Sequence, residues 1–145
     1  MEKNYQNILV AVDGSDEANL ALHRAFDLAI KNNATLYITH IIDTRTFATV
    51  EQYDRTIIER AEAYGNELLE QYKTDAEAAG VANVKTILDF GSPKVIIPKE
   101  IAAKYDIDLI VTGATGLNAV ERILIGSVSE AIVRNAKCDV LVVRK

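Results

Sequence analysis

The sequence predicts an α/β fold, a parallel sheet covered by helices on both faces, on three observations. Short apolar runs alternate with longer stretches of helical spacing, which implies parallel strands joined by right-handed helical crossovers. The apolar runs are nearly continuous rather than alternating, as strands buried on both faces are. The length of 145 residues, with 49% hydrophobic and 26% charged, suits one substantial core. Residues 1–145 are therefore read as a single domain.

The elements follow in order. Residues 7–12 are a buried strand ending in a turn at Asp13, Gly14 and Ser15. Ser15 suits a helix N-cap, and Asp16 and Glu17 favour the positive end of a helix dipole. Ala18, Ala21, Leu22, Ala25, Phe26 and Ala29 then recur at helical spacing, until Asn32 and Asn33 end the helix. Residues 35–42 are rich in β-branched and aromatic side chains and form the second strand. Residues 43–50 carry no period and read as a loop.

A long amphipathic helix comes next. Its predicted buried stripe is Ile57, Ala61, Tyr64, Leu68, Tyr72, Ala76 and Ala79, with Gly80 as the C-terminal cap. Residues 84–88 are a third strand, less apolar and so nearer an edge. Ser92 and Pro93 suit the N-cap and first position of a further helix, and Pro98 predicts a local bend inside it. Residues 109–112 are a fourth strand, residues 127–137 the last helix, and Val140, Leu141, Val142 and Val143 the last strand.

The first and fourth runs are the most apolar, which makes them central. That favours the strand order 3-2-1-4-5, a Rossmann-like arrangement whose switch point lies between strands 1 and 4. Ligands of open α/β sheets bind at the carboxyl ends of the strands at such a point. Here those ends are Asp13 and Gly113.

From Gly113 the chain runs through Gly116 to Gly126, Ser127, Ser129 and Glu130, so three glycines lie between a buried strand and a helix. Glycines allow sharp turns and close approach of a ligand to main-chain N–H groups. Ser127 followed three residues later by Glu130 is a capping-box pattern. A helix N-terminus at such a turn is a natural phosphate site, to which the hydroxyls of Ser127 and Ser129 add donors. No lysine precedes Ser127, which excludes a Walker A loop, and no Gly-x-Gly-x-x-Gly follows the first strand. Phosphate charge then falls on backbone N–H groups, on Arg122 and on a divalent ion.

The remaining composition narrows the class. A net charge of −5 without a basic stripe argues against nucleic acid or an anionic membrane as partner. A single cysteine, Cys138, permits no internal disulfide and suits a reducing compartment; it reads as a small filler before the last strand. No run approaches the ~20 apolar residues of a membrane span. The expected location is cytoplasmic.

Gly113, Gly116, Gly126 and Ser127 resemble the glycine pattern of the universal stress protein family, in its nucleotide-binding branch: Gly, two residues, Gly, nine residues, Gly, then Ser or Thr. The stretches 10–15, 40–43, 91–93 and 140–143 resemble the family's first strand and turn, second strand end, third helix start and final strand. The likeness covers essentially the whole chain. Asp139 departs from it where the family usually has proline, and Ala11 where some members do.

The resemblance implies the adenine nucleotide alpha hydrolase-like form of the fold, ATP as ligand with Mg²⁺ or Mn²⁺, and a homodimer paired through Val140 to Val143. It implies Ala11 and Asp13 at the adenosine end, with Asp13 also near a phosphate-bound metal. Ile41 then contributes backbone contacts to adenine. Gly113, Thr115, Gly116, Leu117 and Asn118 line ribose and phosphates, and Gly126, Ser127, Val128 and Ser129 hold the phosphates. It also implies a regulatory role in a stress response.

No catalytic residue is assigned. A slow ATPase and a dimeric interaction module with a vestigial pocket are the alternatives. Phosphoryl transfer needs a residue to orient the nucleophile, and the nearby carboxylates Asp13 and Glu130 each have another task. His40 is expected to be structural, His23 a solvated partner of Asp27, and Tyr64 and Tyr72 core residues.

Overall fold

A computed structural model describes residues 4–43, 55–115 and 125–144. Its five strands are β1 (Asn7–Ala11), β2 (Thr35–Asp43), β3 (Asn83–Gly91), β4 (Leu109–Gly113) and β5 (Asp139–Val143). They form one sheet in the order β3-β2-β1-β4-β5, with every pairing parallel. The predicted order is correct, and β3 lies at an edge as its weaker apolarity implied. β3 is longer than the apolar run suggested, because it pairs with β2 through nine consecutive residues.

The helices are α1 (Asp16–Asn32), α2 (Arg55–Ala79), α3 (Pro93–Val95), α4 (Ala102–Lys104) and α5 (Ser127–Asn135), with a π-helical turn at Ile96–Ile101 between α3 and α4. Successive side chains of a strand point to opposite faces, and the two cores follow that rule. Ile8, Val10, Leu36, Ile38 and Val111 meet Leu22, Phe26, Leu69 and Tyr72 of α1 and α2. Leu9, Tyr37, Ile41 and Ile110 meet Ile96, Ile97, Ile101 and Ile132 on the other side. Helices therefore cover both faces.

Several local signals act as the sequence implied. The Ser15 hydroxyl accepts the Ala18 N–H at 3.1 Å and caps α1. Asn33 closes α1 in the left-handed region at φ 53°, and Gly80 follows α2 at φ 110°. Pro98 sits inside the π turn, where the Ala102 N–H reaches back to Ile97 O. Proline has no N–H and its ring crowds the carbonyl four residues back; widening the turn accommodates both.

Two expectations are corrected. The buried positions of α2 are Gly65, Leu69, Tyr72 and Ala76, so the stripe runs through Gly65 and Leu69 where Tyr64 and Leu68 were expected; Ile57, Ala61 and Leu68 are half-buried and Ala79 is exposed. Tyr64 is 53% exposed, not core. Tyr72 is buried as expected, with its hydroxyl donating to Asn19 Oδ1 at 2.8 Å. The second correction is the cap of α5. Gly126, not Ser127, is its N-cap, in extended conformation and without a side-chain cap bond. Glu130 pairs with Arg134 one turn on, at 2.6 Å, instead of reaching back to close a capping box.

Candidate functional site

The carboxyl ends of β1, β2 and β4 open into a cleft of about 700 Å³, within the ~300–1,000 Å³ range of small-molecule sites. It spans the switch point. The phosphate end predicted from sequence lies at β4 and α5, and the far end lies at β2 and α2. These ends are two strand spacings apart, roughly 10 Å.

At the α5 end, the first intrahelical bond runs from the Glu130 N–H to Gly126 O at 2.9 Å. The N–H groups of Ser127, Val128 and Ser129 precede it and have no intrahelical acceptor. All three residues line the cleft, as does Gly126. The Ser129 side chain differs from expectation. It is buried, donates to Gly113 O and lies 3.2 Å from Thr112 Oγ1, so its hydroxyl ties α5 to β4. What Ser129 presents to the cleft is its backbone. Ser127 is exposed at the mouth.

Gly113 lines the cleft, but its missing side chain serves packing. A Cβ there would lie 2.9 Å from Glu17 O and 3.0 Å from Glu17 C, both backbone atoms of the first turn of α1. The glycine lets α1 approach the end of β4.

Asp13 lies in the same cleft, its Oδ1 accepting the Ser15 N–H at 2.9 Å. That bond shapes the turn into α1 and fixes the carboxylate. Val12 is held by its N–H to Thr39 O at 2.9 Å. The His40 Nδ1–H donates to Val12 O, also at 2.9 Å, because a carbonyl can only accept. His40 is thus structural, as expected, and it also lines the cleft.

Nine predicted site residues come together here: Ala11, Asp13, Ile41, Gly113, Thr115, Gly126, Ser127, Val128 and Ser129. Gly116, Leu117, Asn118 and Arg122 lie outside the described residues, as does most of the loop predicted at 43–50. Sequence reasoning missed Asp43, Ala61, Tyr64, Pro93, Ile97 and Thr112 as lining residues. The strand order would have found Asp43, which ends β2 beside the switch point. Among the described residues no group of three or more His, Cys, Asp and Glu could hold a metal ion by itself.

Elsewhere, Cys138 is half-buried and packs against the second core, as a filler does. His23 is exposed with its ring edge-on to Phe26. No helix among the described residues is long and apolar enough to cross a membrane.

Comparison with known proteins gives a consistent family. Residues 4–144 match the sequence model of the universal stress protein family. A putative universal stress protein of Staphylococcus haemolyticus is 56% identical over 140 residues, covering 97% of this chain and 85% of that protein. Universal stress protein UspA from Lactobacillus plantarum superposes with a TM-score of 0.87 at 31% identity, over 99% of this chain and 100% of that one. A universal stress protein crystallised in complex with cAMP superposes with a TM-score of 0.73 at 30% identity, over 98% of both chains.

Proposed function

The chain belongs to the universal stress protein family, and from that membership we propose that it is a regulatory protein of a stress response that binds an adenine nucleotide, ATP foremost. The observation that carries the proposal is the α5 terminus. Three N–H groups without intrahelical acceptors face a cleft of nucleotide size at the switch point of the sheet. The positive end of a helix dipole favours phosphate there. A relative of the same fold binds cAMP, which also presents an adenine and a phosphate.

Mg²⁺ or Mn²⁺ fits this donor set only together with the nucleotide. Such hard cations take oxygen ligands and are commonly held by one or two carboxylates plus phosphates. Asp13 supplies one carboxylate, pre-oriented through its Oδ1. Bound there, the ion would screen phosphate charge beside that carboxylate.

The proposal is of binding, not turnover. Asp13 is occupied in its turn, Glu130 pairs with Arg134, and Asp43 lies at the β2 end of the cleft, about two strand spacings from the α5 terminus. ATP recovered intact after overnight incubation is the expected result; hydrolysis above background would make the protein a phosphoryl-transfer enzyme.

A homodimer through β5 is part of the reading. Val143 O accepts the Ala114 N–H on the β4 side. In a parallel strand alternate residues face opposite edges, so the backbone of Val140 and Val142 faces outward. An apolar unpaired edge invites association, and a second copy would cover it about a two-fold axis.

Equilibrium dialysis with labelled ATP and Mg²⁺ tests the binding claim. Saturable binding is expected, together with its loss in Gly126→Val at unchanged far-UV circular dichroism. No uptake at millimolar ATP refutes the nucleotide reading, and binding that survives in Gly126→Val refutes the assignment to α5.

A further inference from the structure

Tyr64 is an aromatic residue that helix packing does not explain. It stands on α2 with half its surface exposed, yet it lines the cleft together with Ala61. Two neighbours brace it. Its hydroxyl lies over Gly14, where a Cβ would come within 2.7 Å of the phenolic oxygen. Its ring meets His40 edge-on, with centroids 6.2 Å apart and planes at 75°. His40 is itself fixed by its bond to Val12 O, and Gly65 keeps α2 close above it.

The opposite side of this end of the cleft is apolar apart from Asp43, the last residue of β2. Pro93 and Ile97 reach it from the other face of the sheet, with Ile41 at the strand end between. The slot so formed lies about two strand spacings from the α5 terminus, roughly 10 Å. With phosphates at α5, the base of a nucleotide falls in this slot.

We propose that Tyr64 is the aromatic wall against which the base packs, and that it sets the preference for a nucleotide over a bare polyphosphate. This rests on the nucleotide reading above. Gly14 then has a second duty beyond its turn: a side chain there would displace the tyrosine. Base–aromatic stacking lost on truncation corresponds to roughly 5- to 100-fold in affinity.

The test compares Mg²⁺–ATP with inorganic tripolyphosphate by titration calorimetry on wild type, Tyr64→Ala and Tyr64→Phe. ATP affinity should fall about 5- to 100-fold in Tyr64→Ala, with tripolyphosphate affinity unchanged. Tyr64→Phe should recover most of the ATP affinity. The chain has six tyrosines and no tryptophan, so tyrosine emission is directly observable. ATP should quench it in wild type, and part of that quench should vanish in Tyr64→Phe. ATP bound equally by Tyr64→Ala and wild type would overturn the proposal while leaving the nucleotide reading intact. Equal weakening of both ligands would likewise overturn it, by making Tyr64 a structural support. If wild type binds no ATP, the nucleotide reading fails first and this inference falls with it.

Discussion

Gly113→Ala separates two uses of a glycine at the site. Its backbone is not in the left-handed region, so alanine meets no conformational strain. The obstacle is space. The new Cβ would lie 2.9, 3.0 and 3.2 Å from three atoms of Glu17, two of them backbone. Restoring ordinary contact needs a shift of about 0.5 Å by the first turn of α1, which cannot rotate away as a side chain could. Overpacking of this kind costs about 1–3 kcal/mol, and restricting the unfolded chain returns about 0.4–1 kcal/mol. A net loss of about 1–2 kcal/mol follows, roughly 3–6 °C in Tm for a domain of this size. Urea titration should show a lower midpoint at unchanged m. A Gly113→Ala protein as stable as wild type, or more stable, would refute the packing account and return this glycine to the ligand.

Two further predictions concern the sheet edges and the N-terminal segment. The Tyr5 phenol donates to Asp139 Oδ2 at 2.7 Å, and this bond, with burial and the Asp139 charge behind it, raises its pKa above 10.0. Folding therefore favours the protonated phenol, so its contribution is present below about pH 10 and lost as pH rises through the raised value. Tyr5→Phe should flatten the alkaline fall of stability in thermal melts; an unchanged profile would count against the bond, since Tyr72, also raised by burial, remains in both proteins. Val142→Pro removes an N–H on the outer side of β5 and spares the β4 ladder. It should shift sedimentation toward monomer, and a dimer that persists unchanged would mean association through another surface.

Much of the fold was legible because its signals are local. The degree of apolarity of each run ranked β1 and β4 as central and β3 as an edge, and Ser15, Asn33 and Gly80 marked helix ends by their own chemistry. What was missed depends on contacts that no local pattern carries. Gly65 is the buried position that brings α2 against Leu88 and His40, but a glycine adds nothing to an apolar stripe, so the stripe was drawn through Tyr64. The α5 cap was displaced by one residue because Ser127 and Glu130 match a capping box in spacing while Glu130 is drawn to Arg134. At the site, Gly113 and Gly126 of the glycine spacing line the cleft. The spacing did not tell that Gly113 serves α1 or that the Ser129 hydroxyl turns inward, since both facts belong to neighbours distant in sequence.

The most direct test of the central claim is amide chemical-shift mapping of the ¹⁵N-labelled protein with ATP and Mg²⁺. The account predicts saturable shifts greatest at the N–H groups of Ser127, Val128 and Ser129, with a second group at Ala11 to Asp13 and Ile41 across the switch point. Shifts centred elsewhere, or none at millimolar nucleotide, would contradict it.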